Sequence, residues 1–203
     1  MSTTENFGVV NVRFAGAHAL LVEVDGDPLA LHAELTRRRA AGEVTATDIV
    51  PGARTVLVDG VPDVRALADA LPGWGVPDVE REDRAVDIEA VFDGPDLDRV
   101  AERWGRDVEE TMRGIAFRVA FCGFAPGFAY LSGLPRELAV ARLDDPRPKV
   151  PAGSIGLAGE YAGIYPTASP GGWLLVGRTG ATLFDVTADP PALLVPGTRV
   201  RFT

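Results

Sequence analysis

Residues 9–14 (VVNVRF) and 19–24 (ALLVEV) alternate apolar and polar side chains, the period of half-buried strands. The short AGAH between them is a hairpin loop. Asp27 precedes Pro28, an N-cap followed by proline at the first helical position, and predicts a helix to about Ala41, where Gly42 offers a stop. Residues 44–50 and 55–60 predict two more strands around a Pro51–Gly52 turn. A second helix follows, with Val64, Leu67, Ala68 and Leu71 on one face. Residues 71–78 (LPGWGVPD) break all periodicity, which places a domain boundary near residue 80, between a domain 1–80 and a domain 81–203.

Beyond it, 85–92 (AVDIEAVF) alternates again. A helix capped by Asp96 then buries Leu97, Val100, Ala101 and Trp104 and stops at Gly105. Asp107, with Glu110 three residues on, forms a variant capping box. From Ile115 the pattern changes to short strands (FRVAF, SIGLA, GWLLVG, ATLFDV, RVRFT) separated by glycine and proline, as in a barrel or sandwich that closes its edges.

Composition narrows the function. The net charge of -9 over 203 residues argues against a nucleic-acid surface, which needs a basic stripe. A basic membrane-binding helix, a signal peptide and a membrane-length apolar run are also missing from the pattern. One cysteine excludes an internal disulfide and fits a reducing cytoplasm, so a cytoplasmic protein is expected. No P-loop or dinucleotide fingerprint occurs. His18 and His32 are too few and wrongly spaced for a zinc site or a Ser–His triad, so no metal is expected. Cys122 beside a glycine loop has the position of a nucleophile, but a small buried hydrophobe is the commoner fate of a free cysteine. The acidic run 78–89 mixes both signs and reads as a solvated linker and strand face.

Two stretches remain. GFAPGFAYLSGLP (123–135) is a run of turn-formers with Phe124, Phe128 and Tyr130 and no charge. Residues 146–179 alternate glycine and proline with Ser154, Tyr165, Ser169, Trp173 and Arg178, just after Arg147 and Lys149. Glycine admits close backbone approach, proline fixes a loop in advance, and aromatic walls with a few polar groups suit a small-molecule pocket. Arginine and lysine there would attract a carboxylate, carbamate or phosphate. A compact barrel needing many tight turns explains the same composition.

The first stretch resembles the motif G-F-x-P-G-F-x-Y-L-x-G-L-P. The second, VPAGSIGLAG…GIYPTASPGGWLLVGRT, is similar to V-P-A-G-S-[VI]-G-[IL]-A-G…T-G-[IV]-Y-P-x-x-S-P-G-G-W-x-[IL]-[IVL]-G-R-T. Both motifs resemble those of the 5-oxoprolinase B-subunit family, also called allophanate hydrolase subunit 1 and kinase A inhibitor (Kip-type) proteins, carboxyltransferase subdomain C and D. The resemblance covers more than half the chain. It implies an α+β fold, a small N-terminal α+β domain followed by a cyclophilin-like β-barrel. It also implies a larger C-type partner subunit of related fold, an A subunit, and ATP-dependent opening of 5-oxoproline to glutamate. Other branches imply a carboxyltransferase or allophanate-hydrolase part of a biotin-dependent urea-type system, or a protein that binds and inhibits a histidine kinase. Met112, Ala141, Lys149, Tyr161 and Ala162 depart from the family pattern.

On this footing Tyr130, Ser154, Tyr165, Ser169 and Trp173 are candidate substrate-positioning residues. Arg147, Lys149 and Arg178 are a candidate anion clamp. Phe124, Pro126, Gly127, Phe128, Gly171 and Gly172 form a pocket or interface wall. No residue is assigned a catalytic role, and ATP is expected to act through the assembled complex.

Overall fold

The computed structural model describes residues 9–74 and 84–203. The chain forms two compact units, Met1–Arg81 and Glu82–Thr203.

In the first unit, β1 (Val9–Phe14), β2 (Ala19–Val24), β3 (Asp48–Pro51) and β4 (Thr55–Asp59) form an antiparallel sheet in the order β1-β2-β4-β3. Helix α1 (Pro28–Ala40) starts where Asp27 accepts from the Leu29 amide at 2.9 Å. Helix α2 (Val64–Ala70) starts where Asp63 accepts from the Ala66 amide. Leu31, Leu35, Leu67 and Leu71 bury against Leu20, Val22, Val56 and Val58. Leu67 and Leu71 belong to the face expected of the second helix, although Leu71 lies in a short 3-10 turn just after α2. The strand expected from residue 44 begins only at Asp48. The amides of Glu43 and Val44 are spent on the Arg38 carbonyl at the end of α1, which takes them out of any ladder. The boundary and acidic-linker readings fall partly on 75–83, outside the described residues.

The second unit holds β5 (Ala85–Ile88), α3 (Leu97–Trp104), α4 (Val108–Gly114), β6 (Phe117–Cys122), β7 (Ala129–Ser132), β8 (Arg147–Val150), β9 (Ser154–Ala158), β10 (Tyr161–Ile164), β11 (Ser169–Gly171), β12 (Leu174–Arg178) and β13 (Arg199–Phe202). Seven of these strands make a curled half-barrel sheet in the order β12-β9-β10-β7-β6-β13-β5. Strands β8 and β11 pair separately. After β5 the chain crosses to the opposite edge: Val91 exchanges both backbone hydrogen bonds with Arg178, and the Gly94 and Asp96 amides donate to Val176 and Leu175. One segment thus joins the two end strands, which leaves less edge exposed to stray pairing. Helix α3 packs on β12 and α4 on β13. Val100, Trp104 and Met112 meet Phe117, Val119, Leu131, Ile155, Leu157 and Phe202 in the main core. Met112, one of the departures from the family pattern, is a fully buried core residue.

Three sequence expectations change here. The 123–135 run is a loop only as far as Phe128; its second half is strand β7. Residues 85–92 are a strand only to Ile88, because the chain leaves β13 there to reach β12. Residues 181–186 make one isolated bridge, Phe184 to Ala192, and no strand. The segment facing them contains Pro190 and Pro191, which lack the amide protons a ladder requires. Among the described residues, no helix is long and apolar enough to cross a membrane.

Candidate functional site

The 123–128 loop is a tight, strained support. The Ala125 amide donates to the Gly123 carbonyl at 2.8 Å, closing a three-residue turn around Phe124. Phe124 sits at φ 71°, the one non-glycine residue with positive φ among the described residues. A three-residue turn of this hand is rare, and a non-glycine residue there costs on the order of 1–3 kcal/mol. The strain holds the Phe124 ring 61% exposed, edge-on to Phe128 at 5.3 Å and Tyr165 at 6.2 Å.

Behind Phe124 lies a continuous aromatic wall. Phe128 meets Tyr130, Tyr165 and Trp173 edge-on at 5.1–5.4 Å. Tyr130 also stacks on Phe121 at 4.2 Å and meets Tyr161 edge-on at 5.9 Å. Two strand glycines make room for the rings. A Cβ on Gly163 would lie 2.9 Å from Phe128 Cζ and 3.0 Å from Trp173 Cζ3, and one on Gly156 would lie 3.0 Å from Trp173 Cβ. Burial raises the hydroxyl pKa of Tyr130, Tyr161 and Tyr165, so all three stay protonated at neutral pH; Tyr130 and Tyr161 are only partly buried, whereas Tyr165 is enclosed in the core. Four of the sequence candidates therefore share one cluster: Phe128 and Tyr165 are buried in it, Tyr130 and Trp173 are partly buried against them, and the exposed Phe124 stands at its rim. Phe121 and Tyr161 join it although the sequence reading did not place them there. Their signal was the same-face position on neighbouring strands, visible only once the strand register was fixed.

The remaining candidates divide. Arg147 donates through Nη2 to both carboxylate oxygens of Asp96, at 2.7 and 2.8 Å, and through Nη1 to the Trp173 carbonyl at 3.1 Å. Asp96 also accepts from the Leu175 amide at 2.6 Å. This ion pair fastens β8, the start of α3 and the Trp173 backbone together. Asp96 stands at the N-cap of α3 as the sequence suggested, yet its side chain makes no capping bond. Arg178 is exposed and forks onto Asp93 through Nε and Nη2, at 3.0 and 2.8 Å. Lys149 is exposed on β8. Ser154 is buried at the start of β9, opposite Arg178 in the register with β12. The Ser169 Oγ is buried without a hydrogen-bond partner among the described residues. Gly171 abuts the Tyr165 hydroxyl, and Gly172 is buried and accepts from the Leu143 amide. Of the three cations, two are already paired with carboxylates, Arg147 with Asp96 and Arg178 with Asp93.

Pro126 lines a cleft of about 570 Å³ with Ala152, Gly153, Pro166, Thr167 and the segment Thr179–Phe184. A volume of this size falls in the range of small-molecule sites, about 300–1,000 Å³. Gly127 underlies one side of it; a Cβ there would lie 2.7 Å from Phe184 Cβ. The threonines were not singled out in the sequence, since isolated hydroxyls in loops carry no periodic signal.

Cys122 ends β6, and its thiol faces the Leu194 carbonyl at 3.5 Å. Burial pushes its pKa up to about 11 from 9.0. The thiolate, the nucleophilic form, is correspondingly scarce at neutral pH. We expect iodoacetamide at pH 8 to modify Cys122 about tenfold more slowly in the folded chain than in urea, since the shift lowers the thiolate fraction about 100-fold while the more basic thiolate is about tenfold more nucleophilic. Equal rates would mean the thiol is ionised in the fold.

Residues 10–194 match the family model described as carboxyltransferase domain, subdomain C and D. The 5-oxoprolinase B-subunit of Escherichia coli O157:H7 is 45% identical over 130 residues, 61% of this chain and 60% of that protein. The chain thus spans about three-fifths of that relative (60%). The 5-oxoprolinase B-subunit of Haemophilus influenzae is 35% identical over 175 residues, 81% of this chain and 82% of its own length. Among solved structures, TTHA0988 superposes with a TM-score of 0.75 at 33% identity, over 95% of this chain and 40% of that one. The urea carboxylase of Kluyveromyces lactis shares the fold, with a TM-score of 0.71 at 20% identity over 95% of this chain and 21% of that one. The chain belongs to the carboxyltransferase subdomain C and D family, the family of the 5-oxoprolinase B-subunits.

Proposed function

We propose that this chain is the B-type subunit of an ATP-dependent 5-oxoprolinase, a cytoplasmic assembly in which it works with a larger C-type subunit and an A subunit. The observation that carries this reading is the similarity to the Haemophilus influenzae 5-oxoprolinase B-subunit, which runs over four-fifths of both chains (81% and 82%). The physical character of the site supports a shared rather than a self-sufficient role. The aromatic wall is buried at Phe128 and Tyr165, half-buried at Phe121, Tyr130, Tyr161 and Trp173, and ends in the exposed Phe124; its accessible members are of the kind that anchor protein interfaces. Arg147 is engaged with Asp96 in a partly buried pair, and Arg178 with Asp93 in an exposed one. The cleft lining carries no cationic side chain, which suits a triphosphate poorly. We therefore place ATP on the partner subunits and route no step through this chain.

Reconstitution tests the reading. The chain alone, the chain with its C-type partner, and the three-subunit assembly are each assayed for glutamate formation and 5-oxoproline-dependent ATP hydrolysis. Activity is expected only from the full assembly. Turnover by the isolated chain would overturn the division of labour. The family's carboxyltransferase description favours one second reading, carboxyl transfer. An assembly inert toward 5-oxoproline, but active with a biotin-carboxylating partner, would establish that one instead.

A further inference from the structure

We propose that the cleft between the 123–128 loop and the 179–184 segment receives a small uncharged cyclic amide. On this view the chain reads the lactam ring of 5-oxoproline and leaves the carboxylate to a partner subunit or to water. The inference rests on the subunit reading above and adds to it where, and by which half, the substrate is recognised.

The composition of the lining is the first argument. Its apolar walls are Pro126, Pro166, Leu183 and Phe184, its hydroxyls are Thr167, Thr179 and Thr182, and no acidic or basic side chain lines it. A quarter of the chain (24%) is charged, so an uncharged cleft of this size is a selective surface. A carboxylate seated here would lose water without gaining a cation, whereas a lactam needs only one donor, one acceptor and an apolar bed for its methylenes. Arg178 directly precedes Thr179, but its Nε and Nη2 are held by Asp93 and it lines a neighbouring cleft with Glu89 and Val91.

The second argument is that the donors are fixed in advance. The Thr179 Oγ accepts from the Ala181 amide at 3.1 Å, which leaves the hydroxyl proton to be donated elsewhere. The Thr179 amide donates to the Gly153 carbonyl at 2.9 Å, and the Gly153 amide donates to the Tyr165 carbonyl at 2.7 Å, so the floor is tied to the end of β10 and its aromatic wall. On the far side, Gly127 lets the strained loop sit directly on Phe184. A site with preset walls loses little ordering entropy when a small ring enters.

The test uses the isotope-labelled full chain, titrated with 2-pyrrolidinone, L-5-oxoproline and cyclopentanecarboxylate while amide resonances are followed. Both lactams should shift Thr167, Thr179, Gly180 and Thr182, with dissociation constants within about threefold of each other, and the carboxylate without an amide should not. Thr179→Val and, independently, Thr182→Val should each weaken both lactams by about tenfold, the effect of one hydrogen bond. Arg178→Ala should leave both unchanged. A preference for 5-oxoproline over pyrrolidinone above tenfold, its loss in Arg178→Ala, or saturation at other residues would each overturn the proposal. Lactam binding in a chain that reconstitutes no activity would remove the subunit reading and leave the site. Full activity without lactam binding to these residues would do the reverse.

Discussion

Asp96→Ala is expected to lower the unfolding free energy by about 3–5 kcal/mol, the cost of breaking a buried ion pair from one side. Asp96 is 7% exposed and serves three donor contacts at once, two from Arg147 and one from the Leu175 amide. Its removal leaves a partly buried guanidinium without its counter-ion and a buried amide without an acceptor. No cap is lost with it, because the side chain caps nothing. The comparison that isolates burial is Asp93→Ala, which frees the exposed Arg178 and should cost about 0–1 kcal/mol, as surface pairs do. Urea unfolding followed by far-ultraviolet dichroism measures both. If the two substitutions cost the same, the Asp96–Arg147 pair does not fasten the wall.

These two aspartates also mark what sequence can and cannot convey. Local pattern located α3 because a cap position, a buried stripe and a stop lie within a few residues of one another; α1 was marked by its cap, proline and stop, and α4 by its capping box alone. Asp107 accepts from the Glu110 amide at 2.7 Å, as its spacing suggested. Local pattern also suggested that Asp96 caps a helix, since a cap is the nearest use for an aspartate before an apolar stripe. Its actual partner, Arg147, lies 51 residues away, and nothing in either segment announces the pairing. The same holds for Arg147 and Arg178. Their charge was legible, but whether a carboxylate had already taken it was not. The aromatic wall was half legible: the glycine-rich motifs named Phe124, Phe128, Tyr130, Tyr165 and Trp173. Phe121 and Tyr161 required the register that sets β6, β7 and β10 side by side. Strand β7 was hidden within a run of turn-formers because Tyr130 and Leu131 lie between glycines at 127 and 133, and strand propensity over four residues is a weak signal.

Gly153→Ala is expected to destabilise the second unit by about 2–5 kcal/mol, the sum of a left-handed backbone penalty near 1–2 and overpacking near 1–3. Gly153 has φ +78°, a conformation that crowds any Cβ against its own backbone. A Cβ there would also run into the Thr179 carbonyl oxygen, which is backbone and unable to rotate away. Relief requires parting Gly153 from Thr179, and that strains the 2.9 Å bond from the Thr179 amide and the 2.7 Å bond to Tyr165. The damage falls on the floor of the uncharged cleft, so lactam binding should fail even in the fraction of molecules that stays folded. Gly180→Ala is the control. It lies on the same cleft, yet a Cβ there meets nothing within 4 Å and its φ is ordinary, so its cost should stay within about 0.5 kcal/mol. Thermal and urea unfolding of the pair decide the matter: equal stabilities would show that the close approach of Gly153 to Thr179 is not a constraint of the native state.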